Sequence, residues 1–151
     1  MKKETLYLDT SVPSAYYDNR AEERQEATIR FWVEVLPHYQ VCISTTTIEE
    51  LEATKDEGLR RNFERLVKGF NILKPNKKIR ELTNVYIHKR IFPERYVDDA
   101  LHVAIATFYK VPYLVSWNFE HLVKVRTRRM VNSVNALEGF GGIEIVSPQE
   151  L

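Results

Sequence analysis

The sequence predicts an α/β fold: a three-layer sandwich with a central, mostly parallel sheet of four or five strands. Short apolar segments rich in strand-forming residues alternate with longer amphipathic segments of helical spacing along the whole chain. Alternation of this kind is typical of parallel βαβ units. The 151 residues fit a single domain, 1–151, because no internal repeat or low-complexity linker divides them.

Five short segments are rich in β-branched, aromatic and leucine side chains and stop at polar or turn-forming residues. The first reads TLYL and ends at Asp9, before a turn or short helix that opens at Ser11. The fifth has the weakest pattern, which leaves the sheet at four or five strands. The expected strands, in chain order, are 5–8, 41–44, 70–73, 112–116 and 143–146.

The helical segments lie between these strands and place apolar residues three and four positions apart. The first ends at Pro37, and the second begins near Ile48, where three preceding threonines can cap it. The last is apolar nearly all round, so we expect it to be buried. The expected helices cover 21–36, the segment from Ile48, 56–68, 77–90 and 96–109.

Composition and charge exclude several classes of protein. Lys and Arg total 22 against 21 Asp and Glu, so any nucleic-acid binding must come from local clusters of charge. The single cysteine, Cys42, excludes an internal disulfide and an all-cysteine metal site. The sequence has no signal-peptide pattern and no run of about 18 apolar residues, so we expect a cytoplasmic protein without membrane contact.

Side chains with oxygen donors follow the predicted strands or begin the buried helix. In open α/β sheets, ligands bind beyond the carboxyl ends of the strands, so we expect these side chains to converge. Taken one at a time, each also fits a structural role as a helix cap, a first-turn acid, a solvated helix face or a turn residue. The candidates are Asp9, Glu49, Glu50, Asp98, Asp99 and Asn118.

A cluster of carboxylates repels itself and raises at least one pKa unless a cation neutralises it. Oxygen donors alone suit a hard cation, so Mg²⁺ or Mn²⁺ is the expected metal. Zinc fits less well, because the sequence contains neither an HExxH motif nor a Cys/His pair at ligand spacing.

Three segments resemble the PIN-domain family of metal-dependent ribonucleases, which includes the VapC-type toxins of toxin–antitoxin pairs. The matching segments are LYLDTSVPSAYYD at 6–18, TTTIEELEAT at 45–54, and VDDALHVAIAT through VPYLVSWNFEHL within 97–122. The resemblance covers most of the chain in the right order. It implies a PIN-like fold and a Mg²⁺-dependent endoribonuclease that cleaves RNA to leave a 5′-phosphate and a 3′-hydroxyl.

The resemblance also assigns site residues. Glu50 fits better than its neighbour because the family's glutamate precedes an aliphatic residue, and Asp99 fits because it directly precedes Ala-Leu. Asn118 departs from the acidic pattern. It offers a carbonyl oxygen or a hydrogen bond to a water but no charge, so the number of bound metal ions, one or two, is left open. The small polar helper matches Thr10 or Ser11. The catalytic and metal-binding positions match Asp9, Glu50, Asp99 and Asn118.

An RNA substrate also needs phosphate contacts outside the metal site. The densest basic run lies a few residues past Asn118, although such runs are usually a solvated helix face. This first run comprises Lys124, Arg126, Arg128 and Arg129. A second run, of less certain position, comprises Lys74, Lys77, Lys78 and Arg80.

Other side chains and partners are expected as follows. His102, on the same helix face as Asp99, can orient that aspartate, although a hydrogen-bonded core histidine is the simpler interpretation for it and for His121. The resemblance implies an antitoxin partner and a homodimer, for which the helices containing Phe31–Trp32 or Phe63–Leu66 offer apolar faces.

The sequence also admits two alternative functions. The first is a PIN-like RNA-binding module with weakened catalysis, for which Asn118 is the sign. The second is a phosphatase of the haloacid dehalogenase type, which needs a second acid two residues after Asp9, where this chain has Ser11. That second alternative is disfavoured.

Overall fold

Five parallel strands form the central sheet of the computed structural model, which describes residues 2–151. Their order across the sheet is β3-β2-β1-β4-β5, so the chain proceeds outward from β1 in one direction and then continues on its other side. The expected three-layer α/β sandwich is confirmed, with five strands. They are β1 Thr5–Leu8, β2 Gln40–Ser44, β3 Asn71–Leu73, β4 Tyr113–Val115 and β5 Glu144–Val146.

Seven α-helices cover the two faces of this sheet within residues 2–151. Short 3₁₀ turns occupy Leu36–His38, Glu94–Tyr96 and Pro148–Glu150. The helices are α1 Ser11–Tyr16, α2 Glu22–Glu34, α3 Thr45–Glu52, α4 Glu57–Leu66, α5 Lys77–His88, α6 Val97–Phe108 and α7 Val125–Leu137.

Two helices differ from the sequence expectation for local reasons. Helix α3 begins at Thr45 instead of near Ile48, because the Ser44 hydroxyl accepts a hydrogen bond from the Thr47 backbone N–H and caps the helix directly after β2. Helix α7 was missed altogether. Its charged first turn looked like an isolated basic run, and Val131 and Val134 bury its inner face only through contact with the sheet.

Successive residues of each strand point into two separate cores, one on each side of the sheet. In β1, Tyr7 faces the core formed with α5, α6 and α7, whereas Leu6 and Leu8 face the core formed with α1 and α2. Helix α6 is buried along most of its length, as its apolar sequence predicts. The two cores therefore fix both the end of β1 and the start of α6.

The apolar side chains proposed for a dimer contact are already used within the chain. Phe31 and Phe63 are only 2% and 4% exposed, so these two side chains pack within the chain, and a homodimer through the helices that carry them stays a prediction. Trp32 packs against Phe70 and Tyr16. None of the helices in residues 2–151 combines the length and apolar character needed to cross a bilayer.

Candidate active site

Asp9 lies directly after β1, in the crevice between β1 and β4 where the strand order reverses. Its side chain is buried, and both carboxylate oxygens accept hydrogen bonds. Oδ1 accepts from the Ser11 hydroxyl at 2.5 Å and the Ser11 backbone N–H at 3.0 Å, and Oδ2 accepts from the Ser116 hydroxyl at 2.6 Å. Burial raises the pKa of Asp9, although the charge of His102 and these hydrogen bonds oppose the shift.

The two serines connect the loops that follow β1 and β4. The Ser11 hydroxyl accepts from the Trp117 backbone N–H at 2.9 Å, and the Ser116 hydroxyl accepts from the Asn118 backbone N–H at 2.9 Å. Each hydroxyl donates to Asp9, so one carboxylate organises both loops. Ser116 was missed by the sequence analysis. The available signal was its position directly after β4, which corresponds to the position of Asp9 after β1.

Glu50 on α3 is paired with His102 on α6. The His102 Nε2 lies 2.8 Å from Glu50 Oε1, and its Nδ1 lies 2.5 Å from the Tyr7 hydroxyl. Tyr7 in turn donates to the Ser44 hydroxyl at 2.7 Å. This chain of contacts, Ser44–Tyr7–His102–Glu50, links β1, β2, α3 and α6 beneath the site.

The hydrogen-bond network assigns both ring protons of His102. Because Tyr7 donates to Ser44, the Tyr7 oxygen accepts from His102 Nδ1–H, and Nε2–H donates to Glu50. Burial of His102 opposes its charge, but Tyr7, Glu50 and Asp9 together raise its pKa well above the usual value. Burial similarly disfavours the Glu50 carboxylate, but the bond and charge of His102 lower its pKa overall. The pair is therefore ionic.

Asp99 lies in the first turn of α6, half-buried, with its side chain turned towards the other carboxylates. Burial and the nearby Asp9 charge, with a smaller contribution from Glu50, raise the pKa of Asp99 to about 6, although His102 and His121 oppose the shift. Its one hydrogen bond within residues 2–151 comes from the Asn118 side-chain amide at 3.3 Å. Asp99 is thus the least compensated carboxylate of the site.

The neighbouring acids are turned away. Asp98 and Glu49 are exposed, whereas Asp99 and Glu50 are half-buried and take part in the network described above. The structure therefore brings Asp9, Glu50, Asp99 and Asn118 together at one edge of the sheet.

Asn118 is oriented by its own loop. Its Oδ1 accepts from the His121 backbone N–H at 2.9 Å, so its amide nitrogen faces Asp99. In this arrangement Asn118 supplies a hydrogen-bond donor to a carboxylate.

Thr10 and Ser11, the expected helpers, have different surroundings. Ser11 bonds Asp9 directly, as described above. The Thr10 hydroxyl is buried without a hydrogen-bond partner of good geometry among residues 2–151, although it lies near enough to Glu50 to help lower that pKa.

The donor set fits a hard divalent cation. No three Cys, His, Asp or Glu side chains in the described part of the chain form a ready-made metal cage. Mg²⁺ does not need one, because one or two carboxylates hold it together with waters and substrate oxygens. Asp9 and Asp99 repel each other, which a cation would relieve. The Thr10 hydroxyl, which has no partner among residues 2–151, follows Asp9 directly in sequence and lies close to Glu50.

The basic run after Asn118 does not form one surface. Lys124 and Arg126 line a cleft at the start of α7, whereas the Arg128 guanidinium donates to the Ile145 carbonyl at 3.4 Å and turns towards β5. Arg129 is exposed on α7. The run of Lys77, Lys78 and Arg80 lies at the first turn of α5, whose opposite end, at His88, borders the same cleft.

Comparison with known proteins relates this arrangement to solved structures. Neither a family model nor a curated protein sequence matches the chain. The sarcin–ricin loop-cleaving toxin VapC20 of Mycobacterium tuberculosis matches with a TM-score of 0.62 and 15% identity, over 92% of this chain and 98% of the toxin chain. The chain has the fold of a VapC toxin.

Two toxin–antitoxin structures show the same likeness. VapBC-1 of nontypeable Haemophilus influenzae matches with a TM-score of 0.58 and 18% identity, over 96% of this chain and 98% of the other. A toxin–antitoxin complex of Klebsiella pneumoniae matches with the same TM-score and identity, over 81% and 93%. The fold expected from the PIN-domain resemblance is therefore confirmed, and the likeness extends over almost the whole length of the VapC20 and VapBC-1 chains.

Proposed function

We propose that this protein is a Mg²⁺- or Mn²⁺-dependent endoribonuclease that hydrolyses RNA phosphodiester bonds in the cytoplasm. The observation that carries the proposal is the convergence of Asp9, Asp99 and Glu50 at the β1–β4 crevice, from three distant segments. Support comes from the fold, since VapC20, which shares it, is described as cleaving the sarcin–ricin loop.

In this proposal Asp9 and Asp99 hold the cation, with Glu50 and Asn118 beside it. When bound there, the cation supplies Lewis-acid activation of water and neutralises charge on the scissile phosphate during in-line displacement. Ser11 and Ser116 fix the orientation of Asp9 by hydrogen bonds.

Protonation sets the working range of the site. His102 keeps Glu50 ionised through their ion pair. Asp99, with its pKa of about 6, is ionised at neutral pH. Glu50 and Asp99 are therefore ionised near pH 7.5, while acidification below about pH 6 protonates Asp99 and weakens cation binding.

The test is RNA cleavage by the purified protein, using single-stranded and structured RNAs with Mg²⁺, Mn²⁺ or EDTA. We expect cleavage with either metal, none with EDTA, and a rate at least about a hundredfold lower in Asp99→Asn, because a metal-holding carboxylate is lost. Asp98→Asn is the matched control, since Asp98 is adjacent but exposed. Cleavage that persists in EDTA, or an equal loss in both variants, would contradict the proposal.

The proposed biological role is the toxin of a toxin–antitoxin pair, with an antitoxin protein covering the acidic edge. VapBC-1 and the Klebsiella complex are toxin–antitoxin assemblies of the same fold. Expression should arrest growth in a wild-type form but not as Asp99→Asn. Homodimerisation stays a prediction, to be measured by sedimentation.

The second candidate function is an RNA-binding module with weakened catalysis. The orientation of Asn118 favours it, because this side chain presents an amide nitrogen to Asp99 and adds no charge for a cation. Calorimetric titration with Mn²⁺ separates the two functions. Heat of binding that disappears in Asp9→Asn supports the nuclease, and the absence of binding in the wild type supports the module.

A further inference from the structure

A cleft of about 750 Å³ opens beside the acidic site, between the α5–α6 connection and the loop that joins β4 to α7. We propose that this cleft binds the sugar–phosphate backbone of the RNA strand next to the cleaved bond. The inference rests on the proposed nuclease function and adds to it the path of the substrate. The charged and titratable residues that line the cleft include Arg90, Glu94, Glu120, His121, Lys124 and Arg126.

His121 connects the cleft to the acidic site. It belongs to the cleft wall, and it is near enough to Asp99 to oppose the rise of that pKa. Its backbone N–H is held by Asn118, and its ring stacks on Tyr96 with centroids 4.0 Å apart. The cleft is therefore continuous with the acidic site, and an RNA strand lying in it would reach the carboxylates.

Two side chains of the cleft have a nitrogen without a partner in residues 2–151. His121 Nε2 is buried without a hydrogen bond, and its nearest carboxylate oxygen, on the largely exposed Glu120, is 3.7 Å away. The half-buried Lys124 makes no ion pair in the same part of the chain. The Lys124 ammonium is therefore available to a phosphate oxygen in the cleft, whereas the solvent-shielded His121 contributes as part of the cleft wall.

Arg126 holds the cleft in shape while keeping its charge. Its guanidinium donates to the carbonyls of Arg90 at 3.0 Å and Ile91 at 3.4 Å, and these are neutral acceptors. Arg90 has a φ of 60°, in the left-handed region that ends helix α5, and Arg126 fixes the chain there. The cleft thus has two walls joined by an arginine that forms no ion pair with any carboxylate of residues 2–151.

The charge of the cleft favours a polyanion over other occupants. Arg90, Lys124 and Arg126 give three cations against the carboxylates of Glu94 and Glu120, both of which are exposed. The acidic site itself repels RNA, so cations beside it are needed to hold the strand. The cleft supplies such cations beside the acidic site.

The test measures RNA binding separately from cleavage. A fluorescent single-stranded RNA of about 20 nucleotides is titrated with protein in EDTA over a series of KCl concentrations, using Lys124→Ala, His121→Gln and the wild type. Lys68→Ala is the matched control, because Lys68 is an exposed lysine at the end of α4, on the other side of the sheet. Circular dichroism and Tm identify any variant that fails to fold, and Arg126→Lys provides an additional cleft variant.

We expect Lys124→Ala to weaken binding several-fold and to reduce the slope of log K against log salt by about 0.7, the value for one lost phosphate contact on a single strand. His121→Gln should weaken binding without changing the slope as much. Lys68→Ala should match the wild type. Unchanged affinity and slope in Lys124→Ala and His121→Gln would overturn the cleft.

A parallel cleavage assay with Mg²⁺ distinguishes the two proposals. If the wild type cleaves RNA and the cleft variants bind it normally, the proposed role of the cleft is wrong and the proposed nuclease activity is supported. If the cleft variants lose RNA binding and the wild type does not cleave RNA, the proposed role of the cleft is supported and the proposed nuclease activity is wrong. A wild type that binds no RNA in any salt overturns the cleft.

Discussion

The end of β1 and the start of α6 each place a carboxylate in the same site, but the fold treats the two differently. Asp9, after β1, is fully buried and receives three hydrogen bonds from Ser11 and Ser116. Asp99, on α6, receives one long hydrogen bond from Asn118 and lies under the repulsion of Asp9 and Glu50. Asp9 is built into the structure, whereas Asp99 is held in place against its own electrostatics.

This difference gives Asp9 a structural role in addition to the metal-binding role proposed for both aspartates. Hydroxyl donors fix Asp9 in one orientation, so it can organise the loops after β1 and β4. Asp99 keeps an unneutralised charge, which a cation can relieve on binding. Residues that function in ligand binding often reduce the stability of the unliganded protein, and Asp99 is expected to do so here.

The largest loss of stability is expected when His102, the cation that pairs with the Glu50 carboxylate, is removed. His102→Gln breaks the ion pair and the contact with Tyr7, leaving a partly buried carboxylate without a cation. We expect a loss of about 3 kcal/mol in the free energy of unfolding, at the lower end for a buried pair because Glu50 is about a third exposed. Urea denaturation at pH 6 measures it.

The pH dependence of the same variant provides a check. The pKa of His102 is raised in the folded state, so its stabilisation is full below the unfolded value of about 6.5 and is lost as pH rises through the folded value. The difference between wild type and His102→Gln should shrink at high pH. Tyr7→Phe keeps the ion pair but leaves the buried His102 Nδ1–H without its acceptor, so it should cost about 2 kcal/mol, less than His102→Gln. An equal loss in both variants would contradict the ionic pairing.

The next effect compares the two aspartates directly. Asp9→Ala leaves the Ser11 and Ser116 hydroxyls without their acceptor in a buried site, so we expect a loss of about 2 kcal/mol. Asp99→Ala removes one weak bond and two repulsions, so it should cost nothing in the absence of metal. Thermal unfolding in EDTA compares the variants. Equal destabilisation by both substitutions would mean that the two carboxylates are compensated alike.

The smallest effect has the opposite sign. At pH 7.5 without divalent ions, Asp99→Asn should raise the free energy of unfolding by about 1 kcal/mol, less than the full shift implies because the side chain is half-buried and partly screened.

The sign follows from proton binding by Asp99. Its folded pKa is about 6 against 3.8 unfolded, so between these values the native state binds more protons and stability falls as pH rises. The advantage of Asp99→Asn should therefore disappear near pH 4. An advantage that persists there would contradict the assigned pKa.

Much of the fold could be predicted because its signals are local. The TLYL segment before Asp9 forms β1 with the expected bounds, and the apolar helix before β4 is buried as its composition requires. Helix α7 escaped prediction because its buried face becomes apparent only where Val131 and Val134 meet the sheet. The local sequence shows the hydrophobic periodicity of a helix or strand, but it does not show which face a distant element will cover.

The sequence by itself determined that these carboxylates meet, because they follow strands or precede a helix at one edge of the sheet, where the ends of parallel strands lie together. Their protonation and partners were decided by tertiary packing. His102 is the hydrogen-bonded core histidine that the sequence favours, but its partner is Glu50, 52 residues away, because α3 and α6 meet across the end of β1. Burial and charge act through space, so the state of each acid depends on packing that local sequence does not encode.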